Sequence, residues 1–351
     1  MKNFIPGLNG LRAIAVSLVI LSHRLPADHF LKKFPIGDYG VTLFFVLSGF
    51  LISRLLFFQI QNKPFTKNSN FRILKNFILR RSLRIFPIYY LLLFFMYFTG
   101  GIIGNSFREN FSWYFFYGAN YLNYTTDKWF GGLAHLWSLS VEEQFYILWP
   151  LCLLYVFKNK ILQFIGFVIL LGTVYPFFFD GKAEILTLSC VNAFGVGALL
   201  AYVEILRPDW IMPFDKGLKL LFVPILGILL INNQMFNIPY FSERLAISIL
   251  SVTLISFCCF HSKHFIVQKV FGNRILEFIG LISYGIYLYH NILPKYWYWG
   301  LQKMNIETPS ILGQFSYFEF ILQTLFLVFL SYFSWIVIEK PILKLKKYVA
   351  Y

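Results

Sequence analysis

Apolar runs of about twenty residues recur along nearly all of this 351-residue chain and constrain its fold more than any other feature. A helix needs about 20 mostly apolar residues to cross a bilayer, where only helices and closed barrels satisfy their own backbone. We therefore predict an all-α polytopic membrane protein with a single integral-membrane domain over residues 1–351. Its ten predicted spans are 9–26, 37–58, 85–104, 136–157, 161–179, 185–205, 217–232, 244–261, 277–297 and 317–338.

Composition argues against a water-soluble fold. Hydrophobic residues make up 58% of the chain and charged residues only 13%, whereas soluble domains carry roughly a quarter charged residues. The formal charge of +15 arises mainly from residues between the apolar runs, so lipid headgroups and topology explain it better than nucleic acid does. With a cytoplasmic N-terminus and alternating spans, Lys and Arg favour the cytoplasmic side by about two to one. Both termini are thus predicted to be cytoplasmic. The four cysteines lie in apolar runs without ligand spacing, so we expect no metal site.

Two basic side chains lie within the first predicted helix. Arg12 and His23 are eleven residues apart, so they fall within about 20° of one helix face and about 16 Å apart along the axis. Ionisable groups inside a span are costly and by default indicate function. The structural alternatives are an Arg12 that snorkels to the inner interface and a His23 that is a polar helix-end residue.

The fourth predicted helix begins on the outer side with two adjacent carboxylates, Glu142 and Glu143. Glu142 is expected at the depth of His23, where a carboxylate orients an imidazole that acts as a general base. The alternative is an interfacial carboxylate in water, which we favour for Glu143. His290, near the outer end of the ninth helix, is expected at the same depth.

Segment 59–84 is predicted as the longest cytoplasmic loop. It is strongly basic and ends in three arginines, Arg80, Arg81 and Arg84. Their guanidinium groups either anchor the topology or recognise phosphates. Ser48-Gly49 in the second helix favours close helix packing.

Six stretches occur in register along the chain: GLNGLRAIAVSLVILSH, FFVLSGFLIS, RRSLRIFPIYY, HLWSLSVEEQFY, ISYGIYLYH and IEKPILKLKK. Together they resemble the acyltransferase-3 family of bacterial inner-membrane acyltransferases, from residue 7 to about 347. Members of that family modify O-antigens, peptidoglycan, exopolysaccharides, Nod factors and some antibiotics. The resemblance implies a multi-pass protein of the bacterial inner (cytoplasmic) membrane.

The resemblance also implies an activity: transfer of an acyl group, most often acetyl, from the co-substrate acyl-CoA to a hydroxyl of a free or polyprenyl-linked carbohydrate. No bound cofactor and no nucleic acid are expected. It implies catalytic roles for Arg12 and His23, and binding of the donor by Arg81 and Arg84. From the residues themselves we add Glu142 as a catalytic candidate, because of its predicted depth, and Arg80 as a donor-binding candidate, because it belongs to the same basic run. The supporting or acceptor-side candidates are Ser48, His135, Tyr284 and His290.

Two departures from the family pattern bear on function. Thr42 stands where many members have Asp, and no esterase-like SGNH domain is recognised, so we expect this chain to complete the transfer itself. His23 would act as a general base or carry the acyl group as an acyl-His intermediate. The competing functions are a transporter or flippase of a lipid-linked glycan or acyl donor and a membrane interaction protein without catalysis.

Overall fold

The computed structural model describes residues 4–62, 66–100, 102, 106–234, 238 and 241–349, and these contain helices but no β-strand. The α-helices up to residue 174 are α1 Leu8–Arg24, α2 Ile36–Asn62, α3 Lys67–Phe98, α4 Ser106–Glu109, α5 Phe111–Phe115, α6 Ala119–Thr125, α7 Leu136–Leu151 and α8 Ile161–Val174. Those that follow are α9 Thr187–Leu206, α10 Ile211–Gln234, α11 Glu243–Phe260, α12 Arg274–Leu281, α13 Ser283–Tyr289, α14 Leu293–Lys303, α15 Tyr317–Ser334 and α16 Lys340–Leu343.

Short 3-10 and π segments extend or connect these helices. The 3-10 segments are Phe30–Lys33, Gly131–Leu133, Tyr175–Phe178, Ala183–Ile185, Pro208–Trp210 and Lys344–Tyr348. The π segments are Cys152–Val156, Ile266–Phe271 and Trp335–Glu339.

Five helices within the described ranges are long and apolar enough to cross a membrane, with mean hydropathy between 1.6 and 2.1. They are Ile36–Asn62, Ile161–Phe178, Thr187–Leu206, Glu243–Phe260 and Tyr317–Tyr348. The predicted all-helical membrane class is therefore confirmed. The count of ten spans and the cytoplasmic termini stay predictions, and the predicted end of the third span at residue 104 lies outside the described residues.

The predicted basic loop 59–84 is largely helical, so that prediction was wrong. α2 continues to Asn62, and α3 begins at Lys67 after Thr66, whose Oγ1 accepts a hydrogen bond from the Ser69 amide at 3.2 Å. A threonine N-cap and a run rich in Arg, Lys and Leu favour helix. The three arginines therefore project from a helix rather than a loop.

The predicted ninth span, 277–297, is not one helix but the three short helices α12, α13 and α14. At the first break Ser283 Oγ donates to the Gly280 carbonyl at 2.9 Å, and such side-chain bonds compete with the helix ladder. Pro294 lies in the first turn of α14, where proline is well tolerated. These breaks turn the chain around His290.

α1 is held closely between α2 and α12. A Cβ at Gly40 would lie 2.4 Å from the Ala15 carbonyl oxygen, and one at Gly280 would lie 1.9 Å from the Asn9 carbonyl oxygen. Only glycine permits these approaches. They fix the position of α1, which carries Arg12 near one end and His23 near the other.

Candidate active site

Three arginines from two helices line a narrow cavity of about 90 Å³, hereafter the arginine cavity. They are Arg12 from α1 and Arg81 and Arg84 from α3. Arg12 donates to Asn9 Oδ1 at 3.3 Å, and the Arg81 guanidinium lies 5.2 Å from the ring centre of Tyr146. Planar guanidinium groups recognise phosphates and carboxylates, so this lining favours an anionic guest.

Two carboxylates of α7 lie on the wall of the same cavity. Ser48 Oγ donates to Glu142 Oε1 at 2.8 Å and lies 3.2 Å from the Tyr146 hydroxyl. Glu143 is only 8% exposed, and its Oε1 has no hydrogen-bond partner among the described residues. The cavity thus presents cations and carboxylates side by side, with a hydroxyl that restrains one carboxylate.

Three imidazoles meet near the far end of α1 and form the histidine cluster of His23, His135 and His290. The ring centres of His23 and His290 are 5.1 Å apart, and those of His290 and His135 are 4.8 Å apart. His135 and His290 are buried, whereas His23 is exposed. His23 is therefore the member of the cluster that is accessible from outside the helix bundle.

The hydrogen bond made by His23 fixes which of its nitrogens can accept a proton. His23 Nδ1 lies 2.9 Å from the Val19 carbonyl oxygen. A carbonyl only accepts, so Nδ1 carries the hydrogen and Nε2 of the neutral ring keeps its lone pair. His290 Nδ1 is held in the same way, 2.6 Å from the Tyr287 carbonyl oxygen.

Tyr287 connects the two regions. Its side chain lines the arginine cavity beside Ser138, to which its hydroxyl is hydrogen-bonded. Its ring centre lies 5.7 Å from that of His135 and 5.4 Å from that of His290. A continuous set of side-chain contacts therefore joins the arginine cavity to the histidine cluster.

The structure brings most of the predicted site residues into these two regions. The arginine cavity contains Arg12, Ser48, Arg81, Arg84, Glu142 and Tyr284, and the histidine cluster contains His23, His135 and His290. Arg80 lines neither region and instead donates to the carbonyl oxygens of Lys346 at 3.1 Å and Val349 at 2.7 Å. The functional roles of all these residues stay predictions.

The structure does not bring Glu142 to His23 as predicted. Glu142 accepts from Ser48, and the bond that orients the His23 ring comes from the Val19 carbonyl. Similar depth in the membrane says nothing about which neighbouring helix a side chain faces, and this is why the prediction was wrong.

The polar lining residues that were missed or misjudged from the sequence are Ser138, Glu143, Tyr146, Ser283 and Tyr287. Glu143 was interpreted as a carboxylate in water, but it is buried at the arginine cavity. Ser138, Glu142 and Tyr146 recur every four residues along α7, which is the spacing of one helix face. This spacing was the available signal for Ser138 and Tyr146.

Comparison with known proteins assigns the family. Residues 5–340 match the family described as an acyltransferase domain. The Staphylococcus aureus (strain COL) protein named "Putative O-acetyltransferase" is 30% identical, over 82% of this chain and 50% of that protein. Peptidoglycan O-acetyltransferase OatA of Listeria monocytogenes is 28% identical, over 98% of this chain and 56% of that protein.

The chain spans about half the length of these curated relatives, and no solved structure matches it significantly. The family match covers both the arginine cavity and the histidine cluster, since it includes every residue that forms them. This chain belongs to the acyltransferase-3 family.

Proposed function

We propose that this protein is a membrane-bound O-acyltransferase that moves an acyl group, acetyl in the simplest case, from cytoplasmic acyl-CoA to a carbohydrate hydroxyl. The observation that carries the proposal is a set of contacts from an arginine-rich cavity through Tyr287 and His290 to His23, whose Nε2 makes no hydrogen bond with the described residues. Membership of an acyltransferase family and relatives named O-acetyltransferases support it.

On the donor side, Arg81 and Arg84 on α3 supply guanidinium groups for the phosphates of acyl-CoA. At about 90 Å³ the arginine cavity is too small for the nucleotide, so only the acyl end of the donor, carried on the pantetheine arm, would enter it. The arm would pass Arg12 and bring the thioester towards Tyr287 and the histidine cluster. This route runs along α1, where Arg12 and His23 differ by about 16 Å in height.

At the histidine cluster, His23 Nε2 takes the proton of the acceptor hydroxyl as its oxygen attacks the thioester carbonyl carbon. A new C–O bond forms, the C–S bond breaks, and the thiolate leaves with the proton that His23 returns. The Val19 carbonyl keeps Nδ1 protonated so that Nε2 stays available. An acyl-His route would use the same nitrogen as nucleophile and release the acyl group to the hydroxyl in a second step.

The acceptor is proposed to be a carbohydrate of the bacterial cell surface or a lipid-linked precursor of one. The name of the Listeria relative refers to peptidoglycan O-acetylation, and a peptidoglycan-type glycan is therefore the first acceptor to test. The reaction would take place in the bacterial cytoplasmic membrane, with the donor on one side and the acceptor on the other.

The test supplies purified full-length protein in nanodiscs with acyl-CoA labelled in its acyl group and a glycan acceptor. Wild type should move label onto the sugar, and His23→Ala should lower that rate by about 10²- to 10⁴-fold because the general base is lost. His264→Ala is the matched control, since His264 is exposed and lies outside both regions. Normal transfer by His23→Ala would contradict the proposal, as would wild type in sealed proteoliposomes that carries labelled acyl-CoA across the membrane unreacted.

A further inference from the structure

A second cavity, of about 320 Å³, opens at the end of the bundle where α1 ends and α2 begins. It lies between α2, α7, α8, α9 and α11 and shares no lining residue with the arginine cavity. Its polar and aromatic lining includes Asp38, Thr42, Trp129, Trp137, Glu184 and Arg244. Its volume falls at the lower end of the range typical of small-molecule sites, about 300–1,000 Å³.

Two buried polar side chains face this second cavity without a partner. Thr42 is 3% exposed and Trp137 is 7% exposed, and neither the hydroxyl nor the indole N–H is hydrogen-bonded to any residue in the described part of the chain. Since most buried polar groups in proteins are hydrogen-bonded, a ligand in this cavity would find two donors that no described protein group already uses.

The charged groups of the second cavity also leave hydrogen-bonding capacity for a ligand. The carboxylates of Asp38 and Glu184 make no hydrogen bond or salt bridge with the described residues. Arg244 is held by backbone instead, since its Nη1 donates to the carbonyl oxygens of Glu184 at 2.7 Å and Ser189 at 3.1 Å. The cavity thus offers fixed donors and free acceptors around one space.

Aromatic faces complete the lining. Trp129 is 48% exposed, and Trp137 lies in the first turn of α7. A sugar ring matches this set of groups, because its C–H face packs on an indole while its hydroxyls both donate to carboxylates and accept from N–H and O–H groups. A simple cation would leave the Trp137 N–H without a partner, because an indole only donates.

We propose that the second cavity binds one sugar unit of the glycan whose neighbouring unit is acylated at His23. A Cβ at Gly37 would lie 2.6 Å from Ser22 Oγ, so α1 and α2 touch there. His23 and Asp38 each lie one residue from that contact. The acylation step in this statement rests on the proposed function, whereas the binding of sugar does not.

The binding test uses full-length protein in nanodiscs and the neutral tetrasaccharide of β-1,4-linked N-acetylglucosamine, measured by isothermal titration calorimetry. Wild type should bind it, and Trp129→Ala and Thr42→Val should each raise the Kd about tenfold, the loss expected for one good contact. Trp299→Ala is the matched control, because Trp299 is 45% exposed and lines none of the cavities described. Thr42→Val keeps the shape of a buried side chain, so it guards against misfolding.

Three results would overturn the inference. They are no binding of the tetrasaccharide by wild type, a Kd in both variants equal to the wild-type value, and displacement of the sugar by tetramethylammonium. A kinetic arm separates this inference from the proposed function. If wild type transfers label, Trp129→Ala should raise the KM for glycan about tenfold rather than the KM for acyl-CoA. If wild type binds sugar through Trp129 and Thr42 but transfers nothing, the proposed function fails and the sugar site stands.

Discussion

The arginine cavity and the histidine cluster both include residues of α1 but differ in the charge of the side chains that form them. The cavity gathers three guanidinium groups and two carboxylates, which suit a charged guest. In the histidine cluster each imidazole is anchored through one nitrogen to a backbone carbonyl, of Val19, Leu288 or Tyr287, with no carboxylate bonded to any of them within the described residues. The arginine cavity is suited to binding a charged group, and the histidine cluster is suited to presenting a neutral imidazole with a free lone pair.

The largest effect expected from this contrast is on binding of the donor. Arg84→Ala should raise the Kd for acyl-CoA by about 10- to 100-fold, because hydrogen bonds to charged groups contribute about 1.5–3 kcal/mol. Arg84→Lys should recover only part of that loss, since an ammonium lacks the planar fork. The measurement is equilibrium binding of labelled acyl-CoA to the protein in nanodiscs.

Two arginines on the same helix provide the controls for that experiment. Arg80 is bonded to the backbone near the C-terminus and Arg72 is exposed, so Arg80→Ala and Arg72→Ala should leave the Kd near the wild-type value. Equal weakening by all three alanine variants would mean that general positive charge, rather than the cavity, attracts the donor.

A change between the two regions should disturb both at once. In Gly40→Ala the new Cβ would lie 2.4 Å from the Ala15 carbonyl oxygen, so α1 must shift or α2 must bend. We expect a loss of about 1–3 kcal/mol in the apparent free energy of unfolding, measured by denaturation in detergent, with weaker donor binding and slower transfer. Gly217→Ala meets no atom within 4 Å and should be neutral or stabilising by up to about 1 kcal/mol. Identical stability of the two variants would show that the α1–α2 contact is not tight.

The sequence predicted the positions along each helix better than the neighbours across helices. Helix geometry predicted that Arg12 and His23 lie at different heights along α1. Similar depth correctly suggested that His290 lies near His23, and the two ring centres are 5.1 Å apart. The same reasoning failed for Glu142, because depth does not determine which neighbouring helix a side chain contacts, and Glu142 contacts Ser48 of α2. Those contacts arise from packing between distant segments, which hydropathy and spacing do not encode.

Local backbone events explain the remaining differences. The Ser283 bond to Gly280 and the proline in the first turn of α14 divide a run that is apolar enough to be predicted as one span. A mean hydropathy taken over about 20 residues does not detect such breaks in a helix. The sequence did not predict the second cavity for a related reason. Asp38 lies in the first turn of α2 and Glu184 in the 3-10 segment Ala183–Ile185, and only the fold brings these segments together.

The smallest expected effect concerns the residue that joins the two regions. Tyr287→Phe removes the hydroxyl that bonds Ser138 and donates to the His135 carbonyl, but keeps the ring beside His135 and His290. If this hydroxyl aligns the thioester between the regions, transfer should fall about tenfold, equivalent to about 1.4 kcal/mol, while the Kd for acyl-CoA changes little. Tyr289→Phe is the matched control, because the Tyr289 hydroxyl bonds Ser334, away from the arginine cavity. A loss of donor binding equal to the loss of transfer would assign Tyr287 to the arginine cavity alone, and the two regions would then lack the connection on which the proposed route depends.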